Sequence, residues 1–446
     1  MTQFIKPRLT RQTADMGFEA ATKALVDAGI TYDEVQAAFC GYCYGDSCCG
    51  QRALYNLGMT GIPITNVNNN CSTGSSALYH ANTFVKAGLA ECALALGFEQ
   101  MEPGSLGSKW KDREPPMAPW NQSIKARQTA EPKIKGPMAP TLFGNAAEEY
   151  FEKYGGNTET LAKIASKNHR NAANNPYAQF RKPWSPEEVM GSKKITDTLT
   201  MLMCCPTSDG AACCIVASEA FVHAHNLENQ AIEIVGQAMT TDNASTFEGR
   251  SRMDLVGYTM SKKCADLAFK QAGFEPGEGR DEVGCVELHD CFAANELVTY
   301  DALGLCKPGE AHKFVDAGDN TYGGKYVINP SGGLEAKGHP LGATGLAMHF
   351  YITSQLRNWA GPMQAPGLFD HADPRGKYGL VHNIGLGGAA VVSLLRRPEF
   401  WKDGGEDGRT RLGYNHAYEC RGVTKADIKR AQAKDISPFV LQLAKL

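Results

Sequence analysis

The chain has no run of about 18 apolar residues, the length a membrane-crossing helix needs. Its first residues, MTQFIKPRLT, hold no apolar h-region of the kind that directs secretion. Net charge is nearly absent: 45 Lys and Arg against 48 Asp and Glu leave −3. That balance argues against a nucleic acid or an anionic membrane as principal partner, though it leaves room for a local basic pocket. Zinc-finger spacing is missing too. One CxxC occurs, Cys40 to Cys43, inside an apolar strand-like run, with no second CxxC and no HxxxH. No metal centre is expected. Cysteine itself is plentiful, 15 in all, an odd number with several in adjacent pairs (Cys48–Cys49, Cys204–Cys205, Cys213–Cys214). Without a secretory signal this reads as reduced, small, buried side chains.

What is present is length and an alternation of helix and strand. The 446 residues exceed one ordinary core and imply two or three domains. Residues 14–28 have the apolar period of a helix and run into Gly29, a natural residue to follow one. VQAAFCGY and IPITNV read as strands, and ECALALGF closes the unit as another. Between them, 74–87 reads as a helix with Ala77, Leu78, Ala81, Phe84 and Val85 on one face. Strands joined by helices imply a mainly parallel sheet covered on both faces, an α/β fold.

The second half echoes the first. AFKQAGFEPGEGRDEVGCVEL repeats the helix, AG turn, DEV and strand of ALVDAGITYDEVQAAF, and GATGLAMHFYITSQL then YGLVHNIG repeats a helix-then-strand step. Two echoes in one order indicate an internal duplication with a ligand cleft between the halves. Residues 105–205 interrupt with prolines, charges and helical pieces at 145–154 and 158–173, as an inserted cap would. The cap's basic residues (Lys109, Lys111, Arg113, Lys125, Arg127, Lys133, Lys135) suit either a solvated face or a phosphorylated ligand. The domains expected are 1–104 with 206–229, the cap 105–205, 230–400, and a polar tail 401–446 with a short helix near 424–434.

Four loops stand where a strand feeds a turn, the usual seat of chemistry in such sheets. In NNNCSTG, Cys71 precedes the 74–87 helix, whose N-terminus would hold it as an exposed thiolate with a lowered pKa. A buried structural cysteine is the equal alternative. ELHDCFAANE brings His289, Asp290 and Cys291, three groups able to transfer protons, to a strand mouth. NPSGGLEAKGHPLGATG carries Ser331, Gly332 and Gly333, where the backbone would approach a substrate, and His339 fixed by Pro340. HNIGLGG, 382–388, is followed by a strand and so fails as a dinucleotide loop.

Together and in this order, NNNCSTGS, HDCF, NPSGGLEAKGHPLGATG and HNIGLGG resemble the thiolases, specifically those of sterol carrier protein X type. The resemblance runs to about residue 400, and HDCF separates this subfamily from ordinary thiolases, which carry NEAF there. It implies the thiolase fold: two similar βαβαβαββ halves in a five-layered αβαβα sandwich, with a loop domain inserted in the first. It also implies a homodimer, or a tetramer formed from two such dimers. The implied reaction is cleavage of 3-oxoacyl-CoA by CoA, with no bound cofactor and coenzyme A as co-substrate. By the same resemblance Cys71 attacks the 3-keto carbon, and His339 activates its thiol. His289 and His339 line an oxyanion hole for the thioester oxygen, and Cys291 shuttles the proton. Backbone N–H groups of Cys71 and Gly385 form a second hole, beside Asn383.

Asn383 itself is a departure, because ordinary thiolases have their acid/base cysteine there, in a CxG motif; Cys291 is the subfamily's substitute. MTQFIKP begins where the family already has a preceding strand, so that strand is expected to be missing or the sheet edge rebuilt. Sterol carrier protein X continues into a lipid-carrier domain, which the roughly 45 remaining residues do not accommodate. Ala444-Lys445-Leu446 resembles the SKL-type address. It implies the peroxisomal import receptor as a partner and a peroxisome-like location, with mitochondrion or cytosol as the alternative. Two other functions compete: a decarboxylating ketoacyl synthase, for which Cys71, His289 and His339 suffice, and a non-catalytic acyl-CoA binder. The HDCF group is associated with 2-methyl-branched and sterol side-chain 3-oxoacyl-CoAs.

Overall fold

The computed structural model describes all residues except 8–9, 102–106, 108–109, 111, 128–133, 404–408 and 437–446. Nine strands form two sheets among the described residues: β1 (Ala37–Gly41), β2 (Ile64–Val67), β3 (Cys92–Glu99), β4 (Gly210–Ala217), β5 (Glu233–Thr240), β6 (Val283–Leu288), β7 (Val327–Ile328), β8 (Tyr378–Gly385) and β9 (Ala389–Arg396). The orders are β2-β1-β3-β4 and β5-β9-β8-β6-β7. Every residue of β1, β3, β8 and β9 is buried, as their largely apolar runs predict, because helices cover both faces of each sheet.

The Thr13–Ala28 helix covers the outer face of the first sheet, and the Tyr258–Gln271 helix that of the second. Between the sheets, the Thr73–Lys86 and Leu341–Leu356 helices pack on each other and on the strands, completing five layers. Glycine permits this closeness: a Cβ on Gly97 would stand 2.1 Å from the Gly342 carbonyl oxygen.

The duplication is written in the pairing. β1 pairs in parallel with β2 and β3, and β3 runs antiparallel to β4; β6 pairs in parallel with β7 and β8, and β8 runs antiparallel to β9. The halves differ at one edge. β5 lies antiparallel on β9, whereas at the matching edge of β4 the described residues offer a short rebuilt ladder: Thr2 donates to the Ala211 carbonyl, and Ile5 and Asp209 bridge. No described helix is long and apolar enough to cross a membrane.

The cap lies between β3 and β4 and holds the helices Ala118–Arg127, Met138–Tyr154, Thr158–Ala172 and Pro186–Gly191. Of its basic residues, Lys109, Lys111 and Lys133 lie outside the described residues. Arg127 is tied down by the carbonyls of Thr246, Gly249 and Ser251, and Arg113 pairs with Asp112 over the Trp110 ring. Arg127 thus serves the fold, and Arg113 lies on an exposed face. The expected polar tail is also corrected. Over residues 411–436 it packs on the first half, with Arg411 donating to the Asp27 carbonyl, Gln432 to that of Asn56, and Ala433 to that of Leu57. Ala417, Ala431 and Ala433 are buried there; single small apolar residues among charges leave no compositional trace. The terminal Ala444–Leu446 lies outside the described residues.

Candidate active site

β2 ends at Val67 and the next helix begins at Thr73, so the intervening residues turn sharply. Asn70 adopts φ 51°, which asparagine tolerates better than most residues. Thr73 Oγ1 donates to the Asn70 carbonyl at 2.6 Å and accepts from Asn69 N at 2.9 Å, while Asn70 Nδ2 reaches the Leu386 carbonyl of the other half at 2.9 Å. Cys71 sits inside this knot, only 8 % exposed.

The expectation of an exposed, low-pKa thiolate is therefore overturned. Burial pushes the Cys71 thiol up to about 12, helped by the Glu99 charge; its own N–H and that of Leu386 pull back only in part. The sizes explain the outcome. Three pKa units correspond to roughly 4 kcal/mol, against about 0.3–1 kcal/mol for a charge at a helix terminus. Cys71 rests as a thiol and needs a base.

Two imidazoles face it. His289 follows β6 and His339 precedes the Leu341–Leu356 helix; both are buried, with ring centroids 5.1 Å apart at 83°. Donor atoms of Cys71, His289 and His339 all lie within 4.8 Å of one another. Burial lowers the His339 pKa to about 3, and burial with the neighbouring His339 holds His289 well below its usual value, so both rings are neutral at neutral pH. His339 is held by Ser208, whose Oγ accepts its backbone N–H at 3.0 Å, and by Thr344 Oγ1, 2.8 Å from Nδ1. Cys291, also buried, has its thiol pKa raised well above 9 by desolvation and then by the neighbouring Cys205 and Cys71. Such a thiol holds its proton until a strong base forms nearby.

β8 brings the last group. Asn383 Nδ2 donates to the Cys71 carbonyl at 3.2 Å and lies 2.8 Å from His289 Nδ1. Gly385 abuts the Cys71 turn, where a Cβ would stand 2.0 Å from the Asn69 carbonyl oxygen. Four loops from both halves thus meet around one sulfur. The same three groups, Cys71, His289 and His339, have donor atoms suited to a cation; Cys40 and Cys43 form no such cluster among the described residues.

Comparison with known families identifies the chain as a whole. Residues 1–220 match the thiolase N-terminal domain, and 242–395 the thiolase C-terminal domain-like family. The chain belongs to the thiolase family. Sterol carrier protein 2 of Oryctolagus cuniculus is 52% identical over 399 residues, 89% of this chain and 70% of that protein. Non-specific lipid-transfer protein-like 2 of Caenorhabditis elegans is 44% identical, over 89% of this chain and 94% of its own. A solved Ltp2-ChsH2(DUF35) aldolase matches with TM-score 0.69 at 21% identity, covering 88% of this chain and 95% of that one, and speaks for the fold alone.

Two expectations for this thiolase's site need correction. Asp290 turns away from the reacting groups: its oxygens accept the backbone N–H of Leu334 at 2.7 Å and of Glu335 at 3.3 Å, and Asn168 Nδ2 at 3.0 Å. It caps the Gly333–Lys337 helix. Ser331, Gly332 and Gly333 likewise build the turn. Ser331 bonds Glu287 through N and Oγ, and Cβ atoms on Gly332 and Gly333 would strike Ala172 and Asp290. Other residues were missed. Thr344, Ser208 and Leu386 lack a sequence signal, being ordinary residues whose role depends on what they face. Glu99 had one, a carboxylate ending a fully apolar strand. It accepts N–H from Cys43 and Tyr44 at 3.0 Å and from Gly342 at 3.1 Å, and burial raises its pKa to about 7.

Proposed function

We propose that this thiolase is a 3-oxoacyl-CoA thiolase, an acetyl-CoA C-acyltransferase, acting in breakdown of fatty acyl or sterol side chains, 2-methyl-branched ones included. The observation that carries the reading is the convergence of Cys71, His289 and His339 within 4.8 Å, with Cys291 beside them.

Neutral His339 takes the Cys71 proton as the sulfur adds to the 3-keto carbon. Backbone N–H groups of the Cys71 turn and of Gly385 or Leu386 meet the resulting oxyanion. When C2–C3 breaks, the acyl group stays on Cys71 as a thioester and the enolate of the departing thioester forms, its oxygen met by the two imidazoles. Cys291 gives its proton to the enolate carbon, releasing acetyl-CoA, or propionyl-CoA from a 2-methyl substrate. The Cys291 thiolate then deprotonates CoA, whose sulfur displaces Cys71 from the acyl group; Cys71 regains its proton from His339. Placing the donors in advance matters most, because the enolate has no water to stabilise it.

A homodimer, and import to a peroxisome-like compartment through Ala444–Leu446, complete the reading. The relatives' names, which speak of sterol carriage and lipid transfer, are consistent with a lipid acyl group. The test is thiolysis of acetoacetyl-CoA, a long-chain 3-oxoacyl-CoA and a 2-methyl 3-oxoacyl-CoA side by side. Binding of all three with no CoA-dependent loss of any would refute it.

A further inference from the structure

Two imidazoles that face one substrate cannot both serve as drawn unless their protons sit on particular nitrogens, and the surrounding bonds decide which. Thr344 Oγ1 has one hydrogen, and the Pro340 carbonyl 3.0 Å away, which can only accept and also takes the Ala343 and Thr344 N–H groups, is placed one turn back to receive it. The 2.8 Å contact between Thr344 Oγ1 and His339 Nδ1 must then be donated by the ring. That leaves His339 Nε2 bare, and it is buried with no partner among the described residues. For His289 the logic runs the other way. Asn383 Nδ2 faces the Cys71 carbonyl, which only accepts, so this end of the amide is its NH2. Its second hydrogen points at His289 Nδ1, 2.8 Å away. His289 Nδ1 therefore accepts, and the ring proton is on Nε2.

We propose that Thr344 and Asn383 are positioning residues that give the two histidines opposite tautomers, His339 as base and His289 as N–H donor. This deepens the thiolase reading and rests on it for the roles, though not for the proton positions. The assignment divides the work. A bare His339 Nε2 can take the Cys71 proton, and His289 Nε2–H can meet the oxygen that becomes an enolate. With His289 reversed, a lone pair would face that oxygen and repel it. Asn383 also binds the Cys71 carbonyl, so one amide sets both the donor and the turn that carries the nucleophile. In this chain the residue at the CxG cysteine position therefore has a defined task in proton placement.

The experiment uses the full chain with 15N-labelled histidine, since ring-nitrogen shifts distinguish protonated from bare nitrogen, beside four near-isosteric variants. In the unmodified protein His339 should show Nδ1–H and His289 Nε2–H. Asn383→Asp presents only acceptors, so His289 should move its proton to Nδ1. Thiolysis kcat should fall about 100-fold, as for loss of one oxyanion donor, and by more than the rate of iodoacetamide alkylation of Cys71. Asn383→Ala should lose the preference without reversing it. Thr344→Val should slow Cys71 alkylation about tenfold or more, and Thr344→Ser should restore it. Tautomers that match each other in the unmodified protein, or a His289 proton unmoved in Asn383→Asp, overturn the proposal. Opposite tautomers in a protein that cleaves no 3-oxoacyl thioester would leave it standing and overturn the function instead.

Discussion

Between pH 7 and pH 10 the rate at which iodoacetamide alkylates Cys71 should climb with no plateau, approaching about tenfold per unit as hydroxide replaces the His339 imidazole as base. Burial moves this thiol from its ordinary 9.0 to about 12. At pH 7 its thiolate fraction therefore falls from about 10⁻² to about 10⁻⁵. The more basic thiolate is the better nucleophile; a Brønsted slope of about 0.4–0.5 over three units returns roughly a factor of 20–30. The net rate is then roughly 30–50-fold below that of an exposed cysteine. Peptide-resolved mass spectrometry separates Cys71 from the other 14 cysteines. His339→Ala should depress the rate at pH 7 further and leave it close to that of the unmodified protein at pH 10, where hydroxide replaces the imidazole. A plateau with a midpoint below about pH 8 would refute the reasoning, because it would reveal a standing thiolate–imidazolium pair where desolvation should forbid one.

Three further outcomes follow. Cys291→Ala should lower thiolysis kcat by about 10²–10⁴, the usual worth of a placed acid, and leave Cys71 alkylation unchanged; retained decarboxylation of a 3-oxoacyl carboxylate would favour a synthase. Gly385→Ala should destabilise the fold by about 1–3 kcal/mol in denaturant melts and misplace the nucleophile, since its Cβ would meet the Asn69 carbonyl oxygen at 2.0 Å. Lys337→Met leaves the fully buried Glu287 without its 3.2 Å partner, at about 3–5 kcal/mol. Unchanged stability of Lys337→Met in denaturant melts would exclude the ion-pair explanation.

Reading the chain in one dimension located the strands and the main helices because their signals are local. An apolar run such as CALALGF buries both faces wherever it lies, and Gly29 after a periodic segment takes φ 67° to end a helix. The echo between ALVDAGITYDEVQAAF and its second-half counterpart likewise survives in the matching strand orders. Motif residues were legible for the same reason: cysteine between NNN and STG, or histidine in GHP, is unusual by type and neighbour. The ionisation of Cys71 was not legible. A helix N-terminus can be seen in sequence, but the second half that closes over the sulfur cannot. Ser331, Asp290 and Arg127 misled for a related reason, since reactive types were taken as free before their partners were known.

The order of residues thus determined what the chain is built from and which side chains carry chemistry, because propensity and pattern are properties of neighbours. Only the tertiary structure decided how those side chains behave. Protonation and hydrogen-bond direction depend on what lies within a few ångströms in space, and around Cys71 those groups arrive from loops more than 200 positions apart.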